Sequence, residues 1–415
     1  MKVFKFGGAS VKDAAGVRNV AAILRLFPDE QLVVVVSAIG KTTNALEHIA
    51  ELAYEKQDYS EQLNLLRHQH ERIVQDLQLE ANLDYFFDFI LTQAEQNGGM
   101  PFPRFYDQIV QAGELLSSSI LSMFLKAAGI NNSWADARQL IYTDDTWRAG
   151  NVHWEKTTTA IQSQLPSLLN SGLVVTQGFI GVAANGDAIT LGREGSDYSA
   201  AIIAHALDAE GQWIWKDVPG VLSGDPKKFP DAVLLPELTY YEAIEMTYYG
   251  ASVIHPKTIY PLRQKRIPLY VRSFLDPTAS GTTIATDGKF IAYPPVIMHK
   301  SGQSLISITP SKTTFVADVQ MSDIYALFSK HGLRINTIQI AAQSVSIVVD
   351  YNPYALNPLI AELRESYSDV QIKENTQLQL LTVRHYDDAI LHQLTQGKKI
   401  YLEQRSRSTV QFLYE

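Results

Sequence analysis

Three segments of this 415-residue chain share one grammar: a strand pattern, a glycine-containing loop, then a helical pattern. They are Lys5-Phe6-Gly7-Gly8-Ala9-Ser10, Ser37-Ala38-Ile39-Gly40-Lys41-Thr42-Thr43-Asn44 and Leu191-Gly192-Arg193-Glu194-Gly195-Ser196-Asp197. Glycines there let backbone N–H groups approach an anion, and the following helix turns its positive end to the same spot. One such loop is a common turn; three, two of them carrying a cation, point to a phosphate site. Gly40-Lys41-Thr42 ends like a Walker A loop, but the residue five before Gly40 is Val35 rather than glycine, so that reading fails.

The flanking pattern predicts the fold class. Val3 to Phe6, Leu32 to Val36, Leu173 to Thr176, Ala188 to Leu191 and Gln212 to Trp215 read as strands, with amphipathic stretches such as Gly16 to Leu26 and Gly113 to Ala128 between them. This alternation predicts an α/β unit, a mostly parallel sheet sandwiched by helices. From Asn44 to about Gln96 the chain is charged and helical in period, with Leu63, Leu66, Ile73, Val74 and Leu77 on one face, and it reads as a helical insertion.

Composition narrows the partners. With 35 Lys+Arg against 44 Asp+Glu the formal net charge is −9, so there is no chain-wide basic field for nucleic acid or anionic lipid; a local basic pocket for a small phosphate remains compatible. The absence of cysteine removes disulfide scaffolds, Cys-ligated zinc, iron–sulfur clusters and thiol catalysis. Apolar residues make up 46%, enough for two to three cored domains. Met1 to Gly8 has no apolar leader, and the run at Leu32 to Val36 is far short of the roughly 18 residues of a membrane helix, so a cytoplasmic protein with no membrane partner is expected.

Composition shifts between Asp276 and Pro295, through a turn-forming stretch and then Tyr293-Pro294-Pro295. Beyond it runs a weak βαββ repeat. The first copy is Phe315 to Val319, a helix at Ser322 to His331, Gly332, then strands at Arg334 to Gln339 and Ser344 to Asp350. The second is Leu378 to Arg384, Asp387 to Thr395, Gly397, Lys399 to Gln404 and Thr409 to Tyr414. Each copy is too small and polar to stand alone, so the two are expected to pack together, as regulatory modules or as a plain oligomerisation domain.

Lys5-Phe6-Gly7-Gly8-Ala9-Ser10-Val11 resembles the opening signature of aspartate kinases, within the amino acid kinase family. The likeness continues through Val36-Ser37-Ala38, Gly113 to Ser117, Gln177 to Gly181, Thr190 to Tyr198, Lys216 to Val221, Asp225-Pro226, Glu242 to Met246 and Gly250 to Thr258, in the family's order. The tail looks like the paired ACT domains these kinases carry. The resemblance implies an amino acid kinase fold over residues 1–285, with the helical insertion at about 44–100. Two small α+β, ferredoxin-like ACT units follow at 300–368 and 369–415, the second truncated and completed by a strand from about 300–310. No homoserine dehydrogenase domain fits in what remains, so a monofunctional enzyme is expected.

The reaction it implies is transfer of the γ-phosphoryl of ATP to the β-carboxylate of L-aspartate, opening lysine, threonine and methionine biosynthesis. That carboxylate is ionised at neutral pH and needs no base; the difficulty is bringing two anions together. By resemblance Lys5 and Asp197 are catalytic, the aspartate orienting the lysine. Gly7, Gly8, Ser37, Lys216, Asp217, Val218, Gly220 and Lys257 serve the nucleotide, with Mg²⁺ held through ATP phosphates rather than by side chains. Arg193 matches the residue for the α-carboxylate, Glu114 that for the α-ammonium, and Ala38, Thr43 and Ser196 further aspartate contacts. A feedback site for lysine or threonine would use residues near Asp318 and Asn336, and a homodimer through the tail is expected.

Three positions depart from the family's pattern: Ala9 for a hydroxyl residue, Glu194 for a common glycine and Lys216 for a frequent threonine. Two other readings stay open, a kinase for another carboxylate such as glutamate or acetylglutamate, and a non-catalytic amino-acid sensor. Elsewhere structural readings are preferred: His68 and His70 on a solvated helix face, His255 bonded to backbone, and Asp144-Asp145 as caps.

Overall fold

The structure is a computed structural model; it describes residues 1–415 except 97, 252–253, 287, 289–290, 311–320 and 368–369. The chain divides into two units, one of residues 1–221, 234–247 and 252–291, the other of residues 222–233, 248–251 and 292–415.

The first unit begins with β1 (Lys2–Phe6), α1 (Ala14–Leu24), β2 (Leu32–Val36), α2 (Thr42–Tyr54), α3 (Ser60–Asp76), α4 (Asp84–Glu95) and the long α5 (Phe102–Ala127). It continues with β3 (Asn132–Ala135), α6 (Trp154–Leu169), β4 (Leu173–Gln177), β5 (Ile180–Val182), β6 (Ala188–Thr190), α7 (Gly195–Ala206) and β7 (Gly211–Lys216). Its last elements are β8 (Glu237–Thr239), α8 (Tyr240–Tyr248), α9 (Pro256–Lys265), β9 (Leu269–Ser273) and β10 (Thr282–Ala285).

Eight strands form one sheet in the order β3-β4-β2-β1-β7-β9-β10-β8, parallel throughout except for the β9–β10 pair. β2 is an unbroken apolar run, all five residues buried, as a central strand covered on both faces requires. The period of two then assigns sides. Phe4, Phe6, Val34 and Val36 join the core with α1, α2 and α5, while Val3, Val33 and Val35 are buried outside that cluster, toward the opposite face. Lys5 shares the parity of Val3. This is why a lysine in a buried strand meets α7.

Two details differ from the sequence reading. Ala188 to Leu191 is not a strand of the main sheet: β6 pairs antiparallel with β5 in a separate two-stranded ribbon, because only two residues separate Gln177 from Ile180 and leave no room for a crossover helix. His70 is buried rather than solvated. It falls on the same helical stripe as Leu63, Leu66, Ile73 and Val74, its Nδ1 donating to Leu66 O (2.8 Å) and its Nε2 paired with Thr42 Oγ1 (3.3 Å), and burial lowers its pKa.

The second unit is built on one antiparallel sheet. Its elements are β11 (Val296–Pro310), α10 (Met321–Lys330), β12 (Ile335–Ala341), β13 (Ser344–Asp350), α11 (Pro353–Ser366), β14 (Val370–Arg384), α12 (Asp388–Thr395), β15 (Ile400–Arg405) and β16 (Thr409–Tyr414), with sheet order β12-β13-β11-β14-β16-β15. The expected strand at Phe315 to Val319 lies outside the described residues. β11 serves both halves of the sheet. Gln303 to Ile308 pair with β13, and the strand pairs with β14 along its length, with register shifts between Lys300 and Leu305. The half of β14 that leads into α12 is therefore flanked by residues 296–300, and the stretch 303–308 lies between β13 and the first half of β14. Among the described residues three cores result, one under α10 and α11 around Phe328 and Ile347, another around Leu381, Leu391 and Phe412, and a third around Leu305, Leu380 and Leu413. Among the described residues no helix is long and apolar enough to cross a membrane.

Candidate active site

The loops after β1 and β2 interlock. Gly8 lies so close to the second loop that a Cβ there would stand 2.6 Å from Ala38 O and 2.9 Å from Gly40 O, so a side chain at this position would force the loops apart. Gly40 N donates to Gly8 O (3.1 Å) and Ser37 N to Phe6 O (3.0 Å). From α5, Ser117 Oγ donates to Ser37 O (2.7 Å).

Above this floor the first turn of α7 brings Asp197 to Lys5, Oδ1 lying 2.7 Å from Nζ with the aspartate buried. Gln212 Nε2 donates to Asp197 O (3.0 Å), fixing that turn against β7. One turn before Ser117, Glu114 is buried; its Oε1 accepts from Ala38 N (3.3 Å), and its Oε2 has no partner among the described residues. Burial pushes its pKa up to about 8, against the Ala38 N–H and the Lys5 ammonium, which favour the charged form.

One cavity of about 550 Å³ collects Lys5, Gly8, Ser37, Ala38, Thr43, Glu114, Arg193, Ser196, Asp197 and Lys216. Gly7, Asp217, Val218 and Gly220 are not on its wall, though a Cβ on Gly7 would stand 3.4 Å from Lys5 Nζ. Lys257 lines a separate cavity of about 400 Å³ with Trp154, Tyr198, His205 and Tyr260.

The sequence reading missed three residues of this site. Asp107, fully buried on α5, accepts from Arg148 N (2.9 Å), Thr190 N (3.1 Å) and Thr190 Oγ1 (2.7 Å), so it ties β6 and the loop at 148 to one carboxylate; burial pushes its pKa up to about 6 despite those donors. Arg148 and Tyr106 both line the cavity. Glu194, flagged as a departure, has φ +54; its Oε2 accepts from His255 N (2.7 Å), linking the Arg193 loop to the start of α9. A left-handed backbone explains why glycine is at ease there.

This strand–loop–helix cluster has known counterparts. Residues 1–273 match the amino acid kinase family. Over 352 residues, 84% of this chain and 78% of the relative, the sequence is 30% identical to Lysine-sensitive aspartokinase 3 of Escherichia coli K12. The chain belongs to the amino acid kinase family, among the aspartokinases.

It is also 30% identical over 361 residues to Aspartokinase 1, chloroplastic, of Arabidopsis thaliana, covering 84% of this chain and 63% of that one. Two crystal structures of E. coli aspartokinase III superpose on the whole chain. The R-state complex with aspartate and ADP has a TM-score of 0.83 at 27% identity, with 96% of that structure covered; the T-state complex with lysine and aspartate has a TM-score of 0.81 at 26% identity, with 95% covered.

The other candidates in this aspartokinase-family chain have structural surroundings. His255 caps α9, its Nδ1 accepting from Lys257 N (3.2 Å). Asp144 holds its own turn through Thr146 and Asn151. Among the described residues no group of three His, Cys, Asp or Glu could hold a metal ion. Asn336 is buried in a polar network, accepting from Lys300 Nζ (2.8 Å) and donating to Gln303 Oε1 (2.8 Å) and Asp350 Oδ1 (3.0 Å); Asp318 lies outside the described residues.

Proposed function

We propose that the chain transfers the γ-phosphoryl group of ATP to the β-carboxylate of L-aspartate, giving 4-phospho-L-aspartate and ADP. It is an aspartate kinase. The observation that carries this reading is the convergence of Lys5, Asp197, Glu114 and Arg193 on one cavity, in a family whose E. coli member was solved with aspartate and ADP.

In this reading a β-carboxylate oxygen attacks Pγ, the bond from Pγ to the β,γ-bridging oxygen breaks, and its electron pair leaves with ADP. Lys5, oriented by Asp197, stabilises charge on the transferring group, and a donor of this kind contributes roughly 10²–10³ in rate. The loop at Gly7 and Gly8 offers backbone N–H groups to the phosphates and Ser37 its hydroxyl; Lys216 lies on the same side, and Asp217, Val218 and Gly220, which follow it in the chain, complete the nucleotide side. Arg193 is exposed and carries no ion pair among the described residues, which suits a guanidinium waiting for an α-carboxylate. The unpartnered Oε2 of Glu114 suits an ammonium, with Ala38, Thr43 and Ser196 shaping the rest. Among the described residues no carboxylate cluster would hold Mg²⁺, so it would enter with the nucleotide beside Lys5 and Asp197 and would supply charge neutralisation of the triphosphate.

The ACT-like tail, as units near 300–368 and 369–415, makes the enzyme a regulated homodimer with lysine or threonine as effector, a reading supported by the lysine complex of the E. coli neighbour. A cytoplasmic location accompanies it, where both substrates are available. The decisive assay supplies ATP, Mg²⁺ and L-aspartate and traps the acyl phosphate with hydroxylamine, with L-glutamate as control. Hydroxamate from aspartate is expected; none above the enzyme-free rate would refute the reading. Sedimentation of the full chain tests the dimer.

A further inference from the structure

Arg148 holds a conformation that costs an arginine something. Its φ is +65, in the left-handed region, which disfavours a residue with a side chain. The side chain is fixed nonetheless. The guanidinium carbon sits 4.0 Å from the Tyr106 ring centre, and Nη2 pairs with Glu47 Oε1 at 2.7 Å. The backbone is fixed as well, through Arg148 N to Asp107 and through Arg148 O, which faces Gly192 closely enough that a Cβ there would stand 3.0 Å away. Arg148 therefore adjoins the loop that carries Arg193, and it lines the same cavity.

The charges of that cavity make the placement consequential. Glu194 and Asp197 contribute carboxylates to its wall, Glu114 adds one that burial keeps protonated below about pH 8, and Lys5, Arg193 and Lys216 face them. A site that admits a triphosphate and an amino dicarboxylate needs a positive excess, and Arg148 adds a guanidinium to it whose charge Glu47 partly offsets. Arg193 is exposed and must be ordered by what it binds, whereas Arg148 is held in advance by Tyr106 and Glu47. Among the described residues only Nη2 is engaged by a carboxylate, so the guanidinium keeps donors for another anion.

We infer that Arg148 is a second specificity-determining guanidinium of the acceptor pocket, donating with Arg193 to a carboxylate of the bound amino acid. This rests on the aspartate kinase reading and deepens it. A single charge-assisted contact of this type corresponds to roughly a 10- to 100-fold change in affinity.

The experiment compares Arg148→Gly, Arg148→Lys and Glu47→Gln with wild type, measuring kcat and KM for aspartate and for ATP. Arg148→Gly relieves the backbone and removes only the guanidinium; KM for aspartate should rise at least tenfold, with kcat within about threefold and KM for ATP unchanged. Arg148→Lys should fall between the two. Glu47 is not on the cavity wall, and Glu47→Gln separates contact from strut. If Arg148 touches the acceptor, freeing it from Glu47 leaves KM for aspartate unchanged or lower. If it only braces the loop against α2, Glu47→Gln will reproduce the Arg148→Gly defect and overturn the inference. An unchanged KM for aspartate in Arg148→Gly overturns it too, while a wild-type enzyme inactive on aspartate overturns the functional reading beneath it.

Discussion

Glu114→Gln should make the free enzyme more stable and the working enzyme worse, and the first effect should depend on pH in a calculable way. The carboxyl is buried with one oxygen on Ala38 N and the other without a partner, and its pKa is pushed from 4.5 to about 8. Between those values the folded chain keeps the proton and the unfolded chain has lost it. The unfolded state thus gains from ionisation, and stability falls as pH rises from about 4.5 to about 8. At about 1.4 kcal/mol per pH unit, the penalty is on the order of 2 kcal/mol at pH 6 and 4–5 kcal/mol above pH 8. Glutamine keeps the acceptor for Ala38 N and carries no such penalty. The stability gap between variant and wild type should therefore widen by roughly 3 kcal/mol between pH 6 and pH 9. Urea unfolding followed by tryptophan fluorescence reads the relevant unit, because all five tryptophans (134, 147, 154, 213 and 215) lie within it. In activity the sign reverses. Only the ionised carboxylate can pair with an ammonium, so wild-type kcat/KM for aspartate should climb with pH toward about 8, and the variant should need far more aspartate. A constant gap in stability would refute the burial argument, and an unchanged KM for aspartate would refute the ammonium assignment.

Three further outcomes follow from the packing of the site. Lys5→Ala should lower kcat by roughly 10²–10³ with a smaller change in KM for ATP; unchanged turnover would show that the lysine is not the transition-state donor. Gly178→Ala puts a Cβ 2.4 Å from Ser196 Cβ, so it should cost about 1–3 kcal/mol in unfolding and raise KM for aspartate, and a variant as stable as wild type would contradict the packing. Glu194→Gly relieves a left-handed residue but loses the bond to His255 N; a charge-assisted bond outweighs that relief, giving a net loss of about 1 kcal/mol in urea unfolding, and a net gain would reverse that ranking.

The catalytic unit was legible where strand period and loop chemistry coincide. Lys5, Glu114, Arg193 and Asp197 each lie in or beside a glycine-marked turn or on a strongly periodic helix, and the structure brings them to one cavity. Asp107 gave no signal, because a lone carboxylate inside the apolar face of α5 looks like a defect until Thr190 and the loop at 148 arrive from distant sequence. Arg148 sits in irregular chain, where no period says which way a side chain points. Lys257 follows a helix start, and the direction of that helix is set by tertiary packing, which places it on a different cavity. The ribbon of β5 and β6 shows the same limit: a short apolar run reveals a strand but not its sheet. In the second unit the alternation of strands and helices was readable and the resemblance implied a strand from about 300–310 beside the second copy, yet its simultaneous pairing with β13 was not, since that partner is distant in sequence.

That strand has a consequence for how the second unit can come apart. Val296 pairs with Arg384 and Ile308 with Val345, so one continuous backbone is stitched into both halves of the sheet. Fraying at one end of β11 loosens one half while the other keeps it in register, and neither half can be lost without unzipping a central strand. Modular in sequence, the tail is indivisible in its hydrogen bonding: a cut at Gly302 would cost both halves their middle, whereas a cut in the turn at Gly397, after α12, would leave each strand whole.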